Sequence, residues 1–377
     1  MDQDVAVVGC SAAGITAANV LARKGLKVGV FDAAERLEPE ARTLIVTSKL
    51  RELPFPLDRS AIVNKIVGFE IHADGRMATI PFHKPDLVID RTRLIRKLAE
   101  HAERNGVRFH FGRRFLDCRG NGKELEFSVS AGKKEGSREI RTRVLVGADG
   151  ASSRVARSAG WPAQRLAYLT QAVVGLPEGV PWNMTRIWFI PEDTRYFYWL
   201  IPESKERGVV GLIGEDRESS RRALEGFLEK KGFDPVNFQE AWVPVYKGWI
   251  PVHRRVGVGH VFLVGDAAGH VKVSTVGGVV TGLQGALGVA EAILNNGESR
   301  RLRALRLELK LHQLVRFLLH RFAQEDYVRL LGHLNPQVRG ILGAMPRDEA
   351  LSLLFGLFCR RPDLLIFVLK VLMRRGR

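Results

Sequence analysis

Residues 5–14 read Val-Ala-Val-Val-Gly-Cys-Ser-Ala-Ala-Gly. The four apolar residues make the short continuous run of a buried parallel strand. Gly9, Ser11 and Gly14 then give the spacing of a turn that opens a helix, here over Ile15 to Lys24. Ser11 stands at the second glycine position, where a small side chain is tolerated, and Gly14 keeps helix and strand close. The pyrophosphate of a dinucleotide would rest on this helix N-terminus, against Gly9, Ser11, Ala12, Ala13 and Gly14. A second strand, Lys27 to Phe31, ends at Asp32, eighteen residues after Gly14, where a carboxylate can accept from ribose hydroxyls. Strand, glycines, helix, strand and acid in this order predict an α/β, Rossmann-type nucleotide-binding domain.

Residues 261–286, VFLVGDAAGHVKVSTVGGVVTGLQGA, supply the matching half. Asp266, at the end of a strand, can accept hydrogen bonds from a sugar or ribityl chain. Gly277 and Gly278 let backbone amides and the following helix N-terminus approach an anionic ring edge, which suggests a flavin held against backbone. A third strand-like run, residues 145–148, leads into Asp149-Gly150, by itself an ordinary turn signal. Arg91, at a helix start, is equally readable as a solvated charge. Placed between the two nucleotide motifs, Asp149-Gly150 looks like the Asp-Gly signature of flavoprotein hydroxylases and their relatives, whose fold binds FAD. Arg91 resembles the arginine those proteins set near the cofactor.

The chain has 377 residues, enough for two domains with sizeable cores, and no uninterrupted apolar stretch reaches the length of a membrane span. The first strand begins almost at once, without a charged and apolar leader, so the chain is expected to stay cytoplasmic or on the inner membrane face. Cys10, Cys118 and Cys359 are unclustered, which argues against a disulfide framework or a zinc site, so no metal is expected. The net charge of +17 concentrates late: from Ser299 onward, sixteen basic residues face six acidic ones. The same region carries leucine and phenylalanine at helical spacing, interrupted by Arg360-Arg361-Pro362-Asp363. Basic amphipathic helices fit an anionic membrane surface, as an in-plane anchor rather than a span, and fit equally a basic cap packed on the core. No nucleic-acid module is evident, and the arginines alternate with leucines rather than with stacking aromatics.

Between the nucleotide motifs, Ile66 to Phe82 carries a hairpin signal at Asp74-Gly75, and Gln171 to Gly214 is rich in β-formers. Because the segments around Asp149 and Asp266 must return to the first strand, these sheets are expected as an insertion. The expected organisation is a discontinuous FAD-binding domain (1–58, 88–163, 249–298), an antiparallel-sheet substrate domain (59–87, 164–248) and a basic helical C-terminal region (299–377).

Within the insertion, Arg195 to Pro202 reads RYFYWLIP. Aromatic alternation usually packs a core face. The run also resembles the Tyr-x-Trp-x-Phe-Pro signature of geranylgeranyl reductases, with Phe197 and Ile201 at the Tyr and Phe positions and Trp199 and Pro202 in place. Residues 269–278, GHVKVSTVGG, likewise resemble their Gly-x-Val-Lys-x-x-Thr-Gly-Gly-Gly run, with Val276 replacing the first of three glycines. The resemblance implies an FAD-dependent reductase that saturates C=C bonds of isoprenoid chains on lipids. It implies a tunnel lined by Phe197, Trp199 and Pro202, with His270 and Lys272 beside the flavin as candidates for proton delivery or for positioning. The segment after Asp32 lacks the Cys-Gly pair of many such reductases, and Arg42 there is a candidate contact to cofactor or substrate phosphate. Electrons would come from NAD(P)H or ferredoxin. Phe197-x-Trp199-x-Ile201-Pro202 is also one residue from the Trp-x-Trp-x-Ile-Pro signature of flavin halogenases, which implies an oxygen-using hydroxylase or halogenase as the alternative.

Overall fold

The computed structural model describes residues 2–54, 57–120, 122, 124–130 and 136–374. The chain divides into two units, each assembled from three separate segments. The first comprises Met1–Glu40, Arg91–Arg165 and Pro244–Lys310, the second Ala41–Asp90, Leu166–Val243 and Leu311–Arg377.

The first unit is built on the buried strand Gln3–Val8. It runs parallel to Val28–Phe31 on one side and to Ser137–Gly147 on the other, and Ser137–Gly147 in turn pairs in parallel with Gly259–Leu263. Parallel strands need covered faces. The helix Ala12–Ala22 supplies cover, with Ala13, Ile15, Ala17, Ala18 and Leu21 all buried, and it packs against both Val279–Leu294 and Arg91–Arg104. Gly14 allows that packing: a Cβ there would lie 2.5 Å from the Gly9 carbonyl oxygen and 2.7 Å from the Ala148 side chain. The helix starts three residues earlier than its apolar spacing suggests because the Ser11 hydroxyl accepts from the Gly14 amide and caps it.

The second unit is an eight-stranded sheet in the order 235–244, 166–175, 207–214, 198–202, 184–188, 62–73, 76–90, 43–46. The hairpin Ile62–Ala73/Arg76–Asp90 turns at Asp74 and Gly75, both with positive φ, the two-residue turn that matches strand twist. Most pairings are antiparallel, but Met184–Trp188 runs parallel to Ile62–Ala73, a pairing that the long intervening chain permits. Tyr198 and Leu200 point into a core with Leu224, Phe227 and Leu228 of the helix Arg217–Lys231. Alternation along the strand puts Phe197, Trp199 and Ile201 on the opposite face. The helices Gln324–Gly332, Pro336–Ala344 and Pro362–Arg374 bury Tyr327, Val338 and Phe367 against Ala73, Ala78 and Ile80 of the hairpin.

Candidate functional site

The first unit brings most of the candidate residues together. Gly9 turns with φ +106, and Ser11, Ala12 and Ala13 follow as the first residues at the helix end. The orphan amides of a first helical turn face outward, and small side chains leave them open to an anion. One oxygen of Asp32 accepts from the Cys10 amide at 2.6 Å and the other from the Ala34 amide at 2.8 Å, so this carboxylate braces the glycine turn from the neighbouring strand end. Burial, with the Asp32 charge adding to it, pushes the Cys10 thiol up, so Cys10 is a protonated small residue and no nucleophile.

The 265–278 loop abuts this turn. A Cβ at Gly265 would lie 3.1 Å from the Ala13 side chain. Gly278 caps the helix Val279–Leu294, and the Asp266 carboxylate lies 3.4 Å from the position a Gly278 Cβ would take. The acid and the helix N-terminus thus share one corner. Gln164 fixes it, its Nε2 donating to the backbone oxygens of Asp266 (2.8 Å) and Ala267 (3.0 Å). Nothing in the sequence singles Gln164 out, because it lies in no motif and meets its partners a hundred residues away.

Lys272 is buried and its amide donates to the Gly277 oxygen at 3.1 Å. Its side-chain end lies within 3.5 Å of the space above Gly277, which places a cation at the turn before the helix. His270 is fully buried against Trp249, and a Cβ on Gly285 would strike its ring. Burial drops its pKa to about 3, so the imidazole is neutral at any physiological pH and carries no ionic proton to donate.

Val276 has φ +50, a left-handed conformation that a β-branched residue rarely adopts. This is the position of the first of the three glycines in the resembled motif, and the backbone keeps the shape that a glycine would take freely. Val276→Gly is expected to stabilise the FAD-loaded protein by about 1 kcal/mol, the relieved strain exceeding the entropy glycine adds to the unfolded chain. A thermal melt that moves downward instead would mean that the valine's packing outweighs its backbone cost.

Other candidates are committed locally. The Asp149 carboxylate accepts from Ser153 Oγ at 2.5 Å and from the amides of Arg154 and Val155 at 2.7 and 3.2 Å, capping the short helix Arg154–Ser158. Arg91 Nη1 donates to the Glu40 oxygen at 2.8 Å. Arg42, Phe197, Trp199 and Pro202 lie in the second unit. There Arg42 Nη2 donates to the Glu240 oxygen at 3.4 Å, and the Pro202 oxygen accepts from Asn64 at 2.9 Å. Phe197 and Trp199 meet edge to face at 6.1 Å, and a Cβ on Gly211 would come 2.7 Å from the Trp199 ring.

The residues of the first unit fit an FAD. Gly14 lets the strand and helix close on the turn, the small residues at the helix start leave room for a pyrophosphate, and the Asp266–Gly278 corner combines an acceptor with helix amides. When bound, the flavin supplies hydride chemistry, while these residues position it and shape the charge around it.

Residues 2–302 match the sequence profile of the FAD binding domain family. Digeranylgeranylglycerophospholipid reductase 2 of Methanothermobacter thermautotrophicus is 28% identical over 304 residues, 74% of each chain. The 6-methylpretetramide 4-monooxygenase of Streptomyces rimosus is 28% identical over 307 residues, 76% of this chain and 54% of that protein. Among solved structures, a geranylgeranyl bacteriochlorophyll reductase-like protein from Thermoplasma acidophilum superposes with a TM-score of 0.78 at 19% identity, covering 98% of this chain and 99% of the other. The chain belongs to the FAD binding domain family and is an FAD-dependent oxidoreductase with the geranylgeranyl reductase-like fold.

Proposed function

We propose that this enzyme saturates C=C bonds in the isoprenoid chains of lipids, adding hydride from reduced flavin and a proton. The observation that carries the reading is the aromatic face of the second unit's sheet opposite Tyr198 and Leu200, where Phe197 meets Trp199 and the Trp199 ring lies close over the small Gly211. Apolar surface of this kind suits a prenyl chain, each buried methylene contributing about 0.8 kcal/mol. The reductases among the relatives support the same choice. Lys272 offers positive charge beside the flavin corner, and the neutral His270 fills space beneath it.

The rival reading is oxygen-dependent hydroxylation or halogenation, favoured by the Trp-Ile-Pro portion of residues 199–202 and by the Streptomyces monooxygenase. Anaerobic reduction with dithionite, followed by a geranylgeranylated lipid, separates the two. A product two mass units heavier with flavin reoxidation is the expected result. Reoxidation only on admitting oxygen would instead favour the rival. Replacing Asp266 with alanine is expected to strip FAD during purification, and full flavin occupancy in that variant would remove the ribityl role from Asp266.

Contact with a membrane surface belongs to the same proposal. Among the described residues no helix is long and apolar enough to cross a membrane. The helix Pro362–Arg374 buries Leu364, Phe367 and Val371 but leaves Ile366, Leu369 and Met373 exposed beside Lys370, and Phe355 on the preceding helix is 70% exposed. A basic, apolar face of this sort suits anionic lipid. Arg375 and Arg377 lie outside the described residues. NAD(P)H, or an acidic ferredoxin drawn to the basic surface, would supply electrons.

A further inference from the structure

Helix Arg300–Leu319 carries Arg316, which is only 4% exposed. Its Nη2 donates to the Arg195 oxygen at 2.6 Å, and its guanidinium lies over the Tyr196 ring, 4.6 Å from the centroid. Among the described residues no acceptor lies within hydrogen-bond geometry of Nε or Nη1, the Tyr327 phenol being the one polar group that faces them, and no carboxylate pairs with Arg316. A guanidinium stays charged even when buried, and an unpaired buried charge costs several kcal/mol. Replacing a buried charge with an apolar residue of similar size is often neutral or stabilising, so packing alone does not account for a cation here.

Its surroundings say what that use is. The Tyr327 phenol faces the guanidinium. The Tyr327 ring stacks on Phe189 at 4.1 Å, Phe189 meets Phe197 at 6.0 Å, and Phe197 meets Trp199 at 6.1 Å. A continuous aromatic row, with Tyr327 and Trp199 themselves buried, therefore leads from the partly satisfied cation to the tryptophan of the proposed substrate face, all within the second unit.

We propose that Arg316 anchors an oxyanion site that takes the phosphate or carboxylate headgroup of an amphiphile whose apolar chain lies along the Tyr327–Trp199 row. The proposal rests on the prenyl-reductase reading and assigns the headgroup end of that substrate. The oxyanion supplies the acceptors that Nε and Nη1 lack, and charge-assisted bonds of this kind are the strong ones.

The test compares binding of geranylgeranyl phosphate, geranylgeraniol and inorganic phosphate to the FAD-loaded protein by calorimetry, in wild type, Arg316→Met and Arg316→Gln. Wild type is expected to prefer the phosphate ester to the alcohol by about 10- to 100-fold. Both variants should lose that preference, and the ligand-free Met variant should melt no lower than wild type. If the Met variant fails to fold, the Gln variant decides: loss of the preference supports the proposal and a retained preference overturns it. Inorganic phosphate binding as tightly as the ester would identify the ligand as free phosphate and remove the lipid assignment. Alcohol and ester binding equally, with the chain still reduced, would overturn the Arg316 site while leaving the reductase reading intact. Failure of both amphiphiles to bind would remove both.

Discussion

Gly14→Ala is expected to yield protein that lacks flavin colour and is less stable by about 3 kcal/mol or more. The added methyl has nowhere to go: backbone oxygen of Gly9 lies on one side and Ala148 on the other, and neither is the flexible tip of a long side chain. Relieving the overlap means lifting the helix Ala12–Ala22 off the central strand, at the end where a pyrophosphate would rest. Overpacking of this kind costs about 1–3 kcal/mol, and loss of a ligand held at 100 times its Kd removes about 2.7 kcal/mol more. Gly226→Ala is the control. That glycine lies inside the helix Arg217–Lys231 with open space around it, so alanine there should leave flavin content unchanged and stabilise by about 0.5–1 kcal/mol. The ratio of flavin to protein absorbance and a urea titration read both effects. Full flavin occupancy in Gly14→Ala would show that the turn tolerates the displacement and that the close approach is not what holds the nucleotide.

Acid is expected to destabilise the protein through His270. Folded, this imidazole resists protonation until about pH 3, whereas unfolded it takes a proton near its ordinary value of about 6.5. Above pH 6.5 both states are neutral and the group is silent. Between pH 6.5 and 3 the unfolded state binds the extra proton, so stability falls as the pH is lowered through that window. At pH 4.5 the loss relative to neutral pH is about 3 kcal/mol, two pH units at about 1.36 kcal/mol each. His270→Gln removes the titration, so the difference in unfolding free energy between pH 7.5 and 4.5 should shrink by that amount relative to wild type. An unchanged pH dependence would mean that the ring is protonated in the folded state or that other groups dominate.

The nucleotide half was largely legible because its information is local. Val5 to Phe31 places strand, turn, helix and strand in consecutive residues, and each obeys a rule of spacing or residue size. Observed boundaries shift by one to three residues: the first strand begins at Gln3, the helix runs Ala12–Ala22 behind its Ser11 cap, and the second strand begins at Val28. The hairpin at Asp74-Gly75 was legible for the same reason, since the turn type is written in two adjacent residues. What escaped were contacts between distant residues. Gln164 holds the loop at Asp266, 102 residues away, and Arg316 reaches Arg195 across 121. Composition marked the late arginines as a basic face, and nothing in their spacing distinguished Arg316, which the fold buries. Val276 was visible as a departure from a glycine motif, but its cost becomes physical only through the positive φ that the loop retains.

The central strand of the first unit pairs with Ser137–Gly147, which itself pairs with Gly259–Leu263, so a sheet begun at the third residue is closed only by chain made much later. On a ribosome adding 5–20 residues per second, the N-terminal strand waits roughly ten seconds to a minute for its last neighbours. During that interval a run of valines and the apolar helix after it have no finished surface to bury against, and pairing at such sequence separation is slow even once the chain is complete. Cellular yield of this enzyme should therefore depend on the speed of elongation and on holding chaperones, and a cut after either early strand would leave a fragment with an unpaired edge.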